Sequence, residues 1–159
     1  MVVVSDTSAI TNLIQLGLLD ILHTLFGEIL LAEAVKKELD HLPNQSAVLD
    51  TKEWIKIAAI QDTHLLQELL LSLDEGEAAS IILAIEKQAD YLIIDESEGR
   101  KTAQKFKIRI TGLLGVLVRA KQKGLIPALM PIMNELVINM KFRIHTELYE
   151  EVLKQAGEL

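Results

Sequence analysis

The chain contains no cysteine, so disulfides, thiolate metal sites and cysteine nucleophiles are excluded together. A chain without thiols suits a reducing compartment. No apolar run approaches the roughly 18 residues that a membrane span needs. The opening Met1-Val2-Val3-Val4-Ser5-Asp6 lacks a basic region and meets an acid early, so it does not read as a secretory leader. A cytoplasmic location, with no membrane partner, is the expectation. A Gly-rich phosphate loop is also missing: Gly112 and Gly115 are too loosely spaced and lack the lysine. Ser5 and Ser8 have no histidine–acid partner pattern, which sets a serine hydrolase aside. Asp6-Thr7-Ser8 lacks the second aspartate of a haloacid-dehalogenase phosphatase. His23, His41, His64 and His145 show no ligand spacing and read as structural or surface residues.

What remains is ample for a globular fold. The 159 residues are half hydrophobic and a quarter charged, with a mean hydropathy of +0.28, which excludes a disordered chain and suits one domain. The net charge of −7, from 16 basic and 23 acidic residues, argues by itself against a nucleic-acid binder. The distribution argues differently. Between Gly99 and Gly124 stand Arg100, Lys101, Lys105, Lys107, Arg109, Arg119, Lys121 and Lys123, with no acid among them. One basic segment on an acidic body reads either as solvated helix faces or as a track for an anionic polymer.

The pattern of elements is alternating. Val2-Val3-Val4 is a continuous apolar run that stops at Asp6, as a buried parallel strand does. Helical stretches follow at about 8–16 and 18–25, then a strand at 28–31, a helix at 33–39 and a loop at Pro43-Asn44. A third strand spans 54–60. Asp62 and Asp74 each start a helix, reaching about Leu71 and Gln88. The fourth strand, Tyr91-Leu92-Ile93-Ile94, ends at Asp95. A helix at 98–106, a short fifth strand at 107–110 and helices at 112–123, 127–140 and 146–156 complete the chain. The expected fold is α/β: a three-layer sandwich on a mostly parallel sheet of about five strands. Residues 1–159 would form a single domain, with 125–159 as a helical C-terminal extension.

Ligands of open parallel sheets sit outside the carboxyl ends of the strands, and two strands here end in acid, at Asp6 and at Asp95-Glu96. Glu38 lies in the helix after the second strand. Asp74 and Glu77 share one helix face through their i,i+3 spacing. Each acid has an ordinary reading: Asp6 as a helix cap, Asp74 and Glu77 as a capping box, Glu38 as a surface ion pair, Asp95 as a partner of Arg100. Together they are harder to dismiss. Two unit charges about 5 Å apart at an effective dielectric near 20 repel by roughly 3 kcal/mol. A divalent cation removes that penalty, and an all-oxygen donor set favours Mg²⁺ or Mn²⁺ over Zn²⁺.

The segments Val3-Val4-Ser5-Asp6-Thr7-Ser8 and Val35-Lys36-Lys37-Glu38-Leu39 resemble the first- and second-acid elements of PIN-domain ribonucleases, including VapC-type toxins. Leu73-Asp74-Glu75-Gly76-Glu77-Ala78 and Ile93-Ile94-Asp95-Glu96-Ser97-Glu98-Gly99-Arg100 look like a bacterial and archaeal PIN-like branch of nucleic-acid-binding proteins. The tail pattern Thr111-Gly112-Leu113-Leu114-Gly115-Val116-Leu117, Lys123-Gly124-Leu125-Ile126 and Gln155-Ala156-Gly157-Glu158 extends the likeness over nearly the whole chain.

The resemblance implies a metal-dependent ribonuclease with Asp6, Glu38, Glu77 and Asp95 or Glu96 as its catalytic acids. Asp6 and one of Asp95 and Glu96 would ligate Mg²⁺ or Mn²⁺. Ser8 would bond a carboxylate or a metal-held water. Arg100 and Lys101 would hold substrate phosphates, with Lys105, Lys107 and Arg109 extending the track; Arg100 reads equally as an ion-pair partner of Asp95. With six aromatic residues in the chain, base stacking is not the main mode of RNA binding. A toxin held by a small antitoxin protein is one form this activity takes in the family, and a homodimer is expected. The competing reading is a catalytically weak or inactive PIN-like module that binds RNA or protein. A third makes the C-terminal apolar runs, Leu113 to Val118 and Leu129 to Val137, an interaction surface rather than ordinary core.

Overall fold

The computed structural model describes residues 1–159. They form two compact units, residues 1–112 and 113–159. The first is an α/β sandwich on a five-stranded sheet: β1 (Val3–Ser5), β2 (Ile29–Ala32), β3 (Ile55–Ala58), β4 (Tyr91–Ile93) and β5 (Ile110–Thr111). The order is β3-β2-β1-β4-β5 and every pairing is parallel. The central strand shows why its sequence is a continuous apolar run. Val3 pairs with Ile29 on one side and Tyr91 on the other, and Val3, Val4 and Ser5 are all fully buried. Each such aliphatic side chain contributes about 1.5–3 kcal/mol on leaving water. The edge strand β3 keeps Ile57 exposed.

The first unit carries α1 (Thr7–Gln15), α2 (Ile21–Phe26), α3 (Glu33–Asp40), α4 (Pro43–Asp50), α5 (Thr63–Leu69), α6 (Glu75–Glu86) and α7 (Ser97–Lys105). Helix α6 is buried on nearly every side from Ala78 to Ala84 and packs against α3, β1, β2 and β4, as a helix that is apolar all round must. Asp62 caps α5 by accepting from the Leu65 N–H at 2.9 Å, and Asp74 caps α6 by accepting from the Glu77 N–H at 2.8 Å.

Two elements differ from the sequence reading. Pro43-Asn44 opens α4 instead of forming a loop; proline at the first helical position loses no hydrogen bond and presets φ. The fifth strand is Ile110–Thr111, not 107–110. Lys107 has a φ of 60°, a left-handed conformation through which a strand cannot run, so the chain turns there before pairing Ile110 with Leu92.

The strand order places a topological switch between β1 and β4. From β1 the chain moves outward to β2 and β3, then returns to lay β4 on the other side of β1. Connections leave such neighbours in opposite directions and open a crevice at their carboxyl ends.

The second unit consists of α8 (Leu113–Gln122), α9 (Met130–Ile138) and α10 (Thr146–Gln155). Helix α10 packs against α8, and the Tyr149 hydroxyl donates to Asn134 Oδ1 of α9 at 2.7 Å. Near the C-terminus Glu158 accepts from the Leu129 and Met130 N–H groups at 2.6 and 3.1 Å and pairs with Lys121 at 3.4 Å, placing an anion at the positive end of α9. Leu113, Val116, Leu117, Leu129, Met133 and Leu136 are fully buried, while Met130, Val137 and Ile138 remain exposed. Most of the C-terminal apolar runs are therefore core. No helix is long and apolar enough to cross a membrane.

Candidate functional site

At the switch point lies a pocket of about 290 Å³, lined by Asp6, Thr7, Ser8, Thr11, Asn12, Glu38, Asp74, Glu77 and Glu96. Its centre is Asp6, the residue on which the β1 apolar run stops. The Asp6 N–H donates to Ile93 O at 3.0 Å, so the backbone joins the end of β1 to the end of β4. The side chain is only 3 % exposed. It occupies the cap position of α1, but no cap hydrogen bond meets full geometry; the Ala9 N–H only eases its charge, against a larger penalty from burial. Burial, then the charge of Asp95, push its pKa up from 3.8 to about 8; Glu77 adds to the rise, and the nearby Ala9 N–H and Ser8 hydroxyl pull the other way. The Ser8 hydroxyl lies 3.4 Å from Asp6 Oδ1.

The other acids arrive from separate elements. Glu38 lies on α3 between the buried Val35 and Leu39, and Thr7 Oγ1 donates to its Oε2 at 2.5 Å. Glu77 projects from the first turn of α6. Its pKa rises from 4.5 to about 7 through burial, then through Asp74, with a further contribution from Glu96. Glu77 Oε2 is buried and has no hydrogen-bond partner, a costly state for a carboxylate oxygen. Asp95 and Glu96 take different positions. Asp95 is half-buried and acts on Asp6; Glu96 is exposed, caps α7 by position, and acts on Glu77. Of the two, Glu96 lines the pocket.

Three glycines make room for these carboxylates. A Cβ on Gly76 would collide with the Glu38 carboxylate, one on Gly99 would lie 3.0 Å from Glu77 Oε2 and 2.6 Å from Ile94 Cδ1, and one on Gly112 would lie 2.5 Å from Asp95 Oδ1. None of the three has a positive φ; what is needed is space, not backbone freedom. Neither these glycines nor Thr7 stood out in the sequence. Their signal was present only as adjacency: Gly76 beside Glu77, Gly99 beside Arg100, Thr7 beside Asp6.

The basic residues after the fourth acid are partly committed. Arg100 Nη1 donates to Ile94 O at 2.9 Å and stands with Asp95 over Gly112. Lys101 is exposed and pairs with Glu98 at 3.6 Å. Ser8 lines the pocket, whereas Arg100 and Lys101 are not among its lining residues.

The donor set fits a hard divalent cation in its chemistry. Every donor is oxygen, Asp6 and Glu77 hold charge only at a cost, and a buried Glu77 oxygen is unbonded. A preformed cage is not there: no group of three or more such side chains stands in ligating geometry. Asp6, with Asp95, Glu96 or Glu77, are the residues that would hold the ion, and it would supply charge for phosphoryl oxygens and an activated water.

A family model described as a PIN domain (DUF3368) matches residues 2–158. None of the curated proteins matches the chain.

Proposed function

The chain belongs to the PIN-domain family, whose fold is of nuclease type, and on that footing we propose that it is a Mg²⁺- or Mn²⁺-dependent endoribonuclease acting at the Asp6 pocket. The observation that carries this reading is the convergence of Asp95, after β4, and Glu77, on α6, upon the buried carboxylate of Asp6 at the end of the neighbouring parallel strand β1. A structural role does not explain it. Asp95 and Glu77 both raise the pKa of the buried Asp6, which destabilises the fold, and such an arrangement persists where function requires it.

The chain's own groups have distinct tasks in this reading. Asp6 anchors the site because its backbone is fixed by both central strands. Thr7 and the space over Gly76 hold Glu38 in place. Glu77 titrates near neutral pH and has a free buried oxygen, so it can accept a proton from the attacking water. Ser8 orients the Asp6 carboxylate. The remaining guanidinium donors of Arg100, and Lys101 beside it, meet substrate phosphate. A toxin role with a small antitoxin partner, a homodimer and a cytoplasmic location belong to the same reading.

The test pairs wild type with Asp6→Asn. Both are stripped of metal and assayed on a labelled single-stranded RNA with and without Mn²⁺. Cleavage by wild type alone, and only with metal, is expected. Equal behaviour of the two proteins would favour a PIN-like binding module instead, the reading that the missing three-ligand geometry supports.

A further inference from the structure

A second charged feature lies wholly within residues 113–159. The chain leaves α9 through Lys141, whose φ of 56° is left-handed, and the Phe142 N–H closes back on Leu136 O at 2.9 Å. From Lys141 to His145 there is no regular secondary structure, and exposure alternates: Lys141, Arg143 and His145 are exposed, Phe142 and Ile144 half-buried. With Val137 these five residues line a cavity of about 630 Å³ that has no carboxylate in its lining, in a protein of net charge −7. The side chains of Lys141, Arg143 and His145 have no ion-pair or hydrogen-bond partner, and the N–H groups of Arg143, Ile144 and His145 are equally unbonded.

We infer that this segment is an RNA-backbone site separate from the acidic pocket, with Lys141, Arg143 and His145 taking successive phosphates of a single strand. The inference rests on the ribonuclease reading for the identity of the polymer. The geometry supplies the rest. A single small anion is held by donors that converge, whereas Lys141 and Arg143 follow one another along a connection that has no acid in it. Two cations so placed meet the charges of a polymer one after another, with the His145 ring offering a hydrogen bond beside them. Phosphates recur at every nucleotide, while the carboxylates of an acidic peptide fall wherever its sequence puts them. Phe142 and Ile144 provide an apolar floor against which a base can rest. The sequence reading centred on 99–124 passed over this segment because its two lysine and arginine residues make no run.

The test measures binding of a labelled single-stranded RNA of about twenty nucleotides by fluorescence anisotropy, using the full chain with Asp6→Asn to prevent cleavage. Lys141→Gln with Arg143→Gln, folded with an unchanged melting temperature, should weaken binding about tenfold at low salt. The slope of log affinity against log salt should become shallower by about 1.4, or about 0.7 per lost single-strand phosphate contact. Lys154→Gln, an exposed cation outside the cavity, should leave that slope in place. An unchanged slope and affinity in the double variant would overturn the inference. So would a double variant that keeps its RNA affinity but loses binding to poly-L-glutamate, which would assign the cavity to an acidic polypeptide. If the Asp6→Asn protein binds no RNA while wild type cleaves it with Mn²⁺, this site fails and the ribonuclease reading stands; if neither binding nor cleavage is seen, both fail.

Discussion

The carboxylate of Glu38 occupies the volume that a Cβ on Gly76 would need. The two residues lie on α3 and α6, the helix pair that frames one wall of the pocket, and the contact fixes where the carboxylate can be. Gly76→Ala should therefore displace Glu38 while sparing the fold, because the group in the way is the far end of a flexible side chain. Alanine also has the better helix propensity, by about 1 kcal/mol. The expected result is a loss of metal-dependent RNA cleavage of tenfold or more with a melting temperature within a few degrees of wild type. Equal loss of activity and stability would place Gly76 in packing alone.

Thr7 holds the other side of the same carboxylate through its hydroxyl. Thr7→Val keeps the shape and removes the donor, so cleavage should fall several-fold at saturating Mn²⁺. Thr7→Ser restores the donor and should restore most of the rate. Single-turnover assays on the three proteins separate this positioning effect from a steric one, since valine would keep the rate and serine would lose it if the methyl group were what mattered.

The metal-free protein should be destabilised by its own site as pH rises. The Asp6 carboxyl titrates near 8 when folded against 3.8 ordinarily, and Glu77 near 7 against 4.5. Between those values the folded state holds protons that the unfolded state has lost. Stability from these groups is thus fully present below about pH 4 and is lost as pH climbs through 7 and 8. Asp6→Asn removes the larger share. In chelator, its melting temperature should exceed that of wild type at pH 8 and approach it at pH 4; a difference that does not vary with pH would contradict the burial argument.

Arg100 joins two demands. One guanidinium nitrogen satisfies Ile94 O at the end of β4, and Ile94 is fully buried. Arg100→Ala should cost about 1–3 kcal/mol by stranding that carbonyl, read from urea denaturation, and should also weaken RNA binding. Lysine in its place should recover part of the binding, which follows charge, but less of the stability, which depends on a donor held where Arg100 Nη1 meets Ile94 O.

Asp6 and Asp95 could be read from the sequence because apolar strand runs stop on them, and strand ends are where parallel sheets place ligands. The caps Asp62 and Asp74 were legible for the same local reason: one side chain and one N–H three residues on. What escaped notice depends on distant partners. Thr7 meets Glu38 across 31 positions, and Gly76, Gly99 and Gly112 matter only for the side chains that fall against them. Helix α4 was hidden by a proline that is as much at home opening a helix as closing one. The shift of β5 follows from a left-handed turn at Lys107, a conformation no lysine announces.

The most direct measurement is calorimetric titration of Mn²⁺ into the metal-free protein at pH 7, repeated in buffers of different ionisation enthalpy. If Asp6 and Glu77 are protonated in the empty site and become ligands or near neighbours of the ion, binding releases about one proton or more per ion. Asp6→Asn should lose both most of the affinity and most of the proton release. Mn²⁺ binding that is absent, or that is identical in affinity and proton count for the two proteins, would contradict the assignment of this pocket as a metal-dependent catalytic centre.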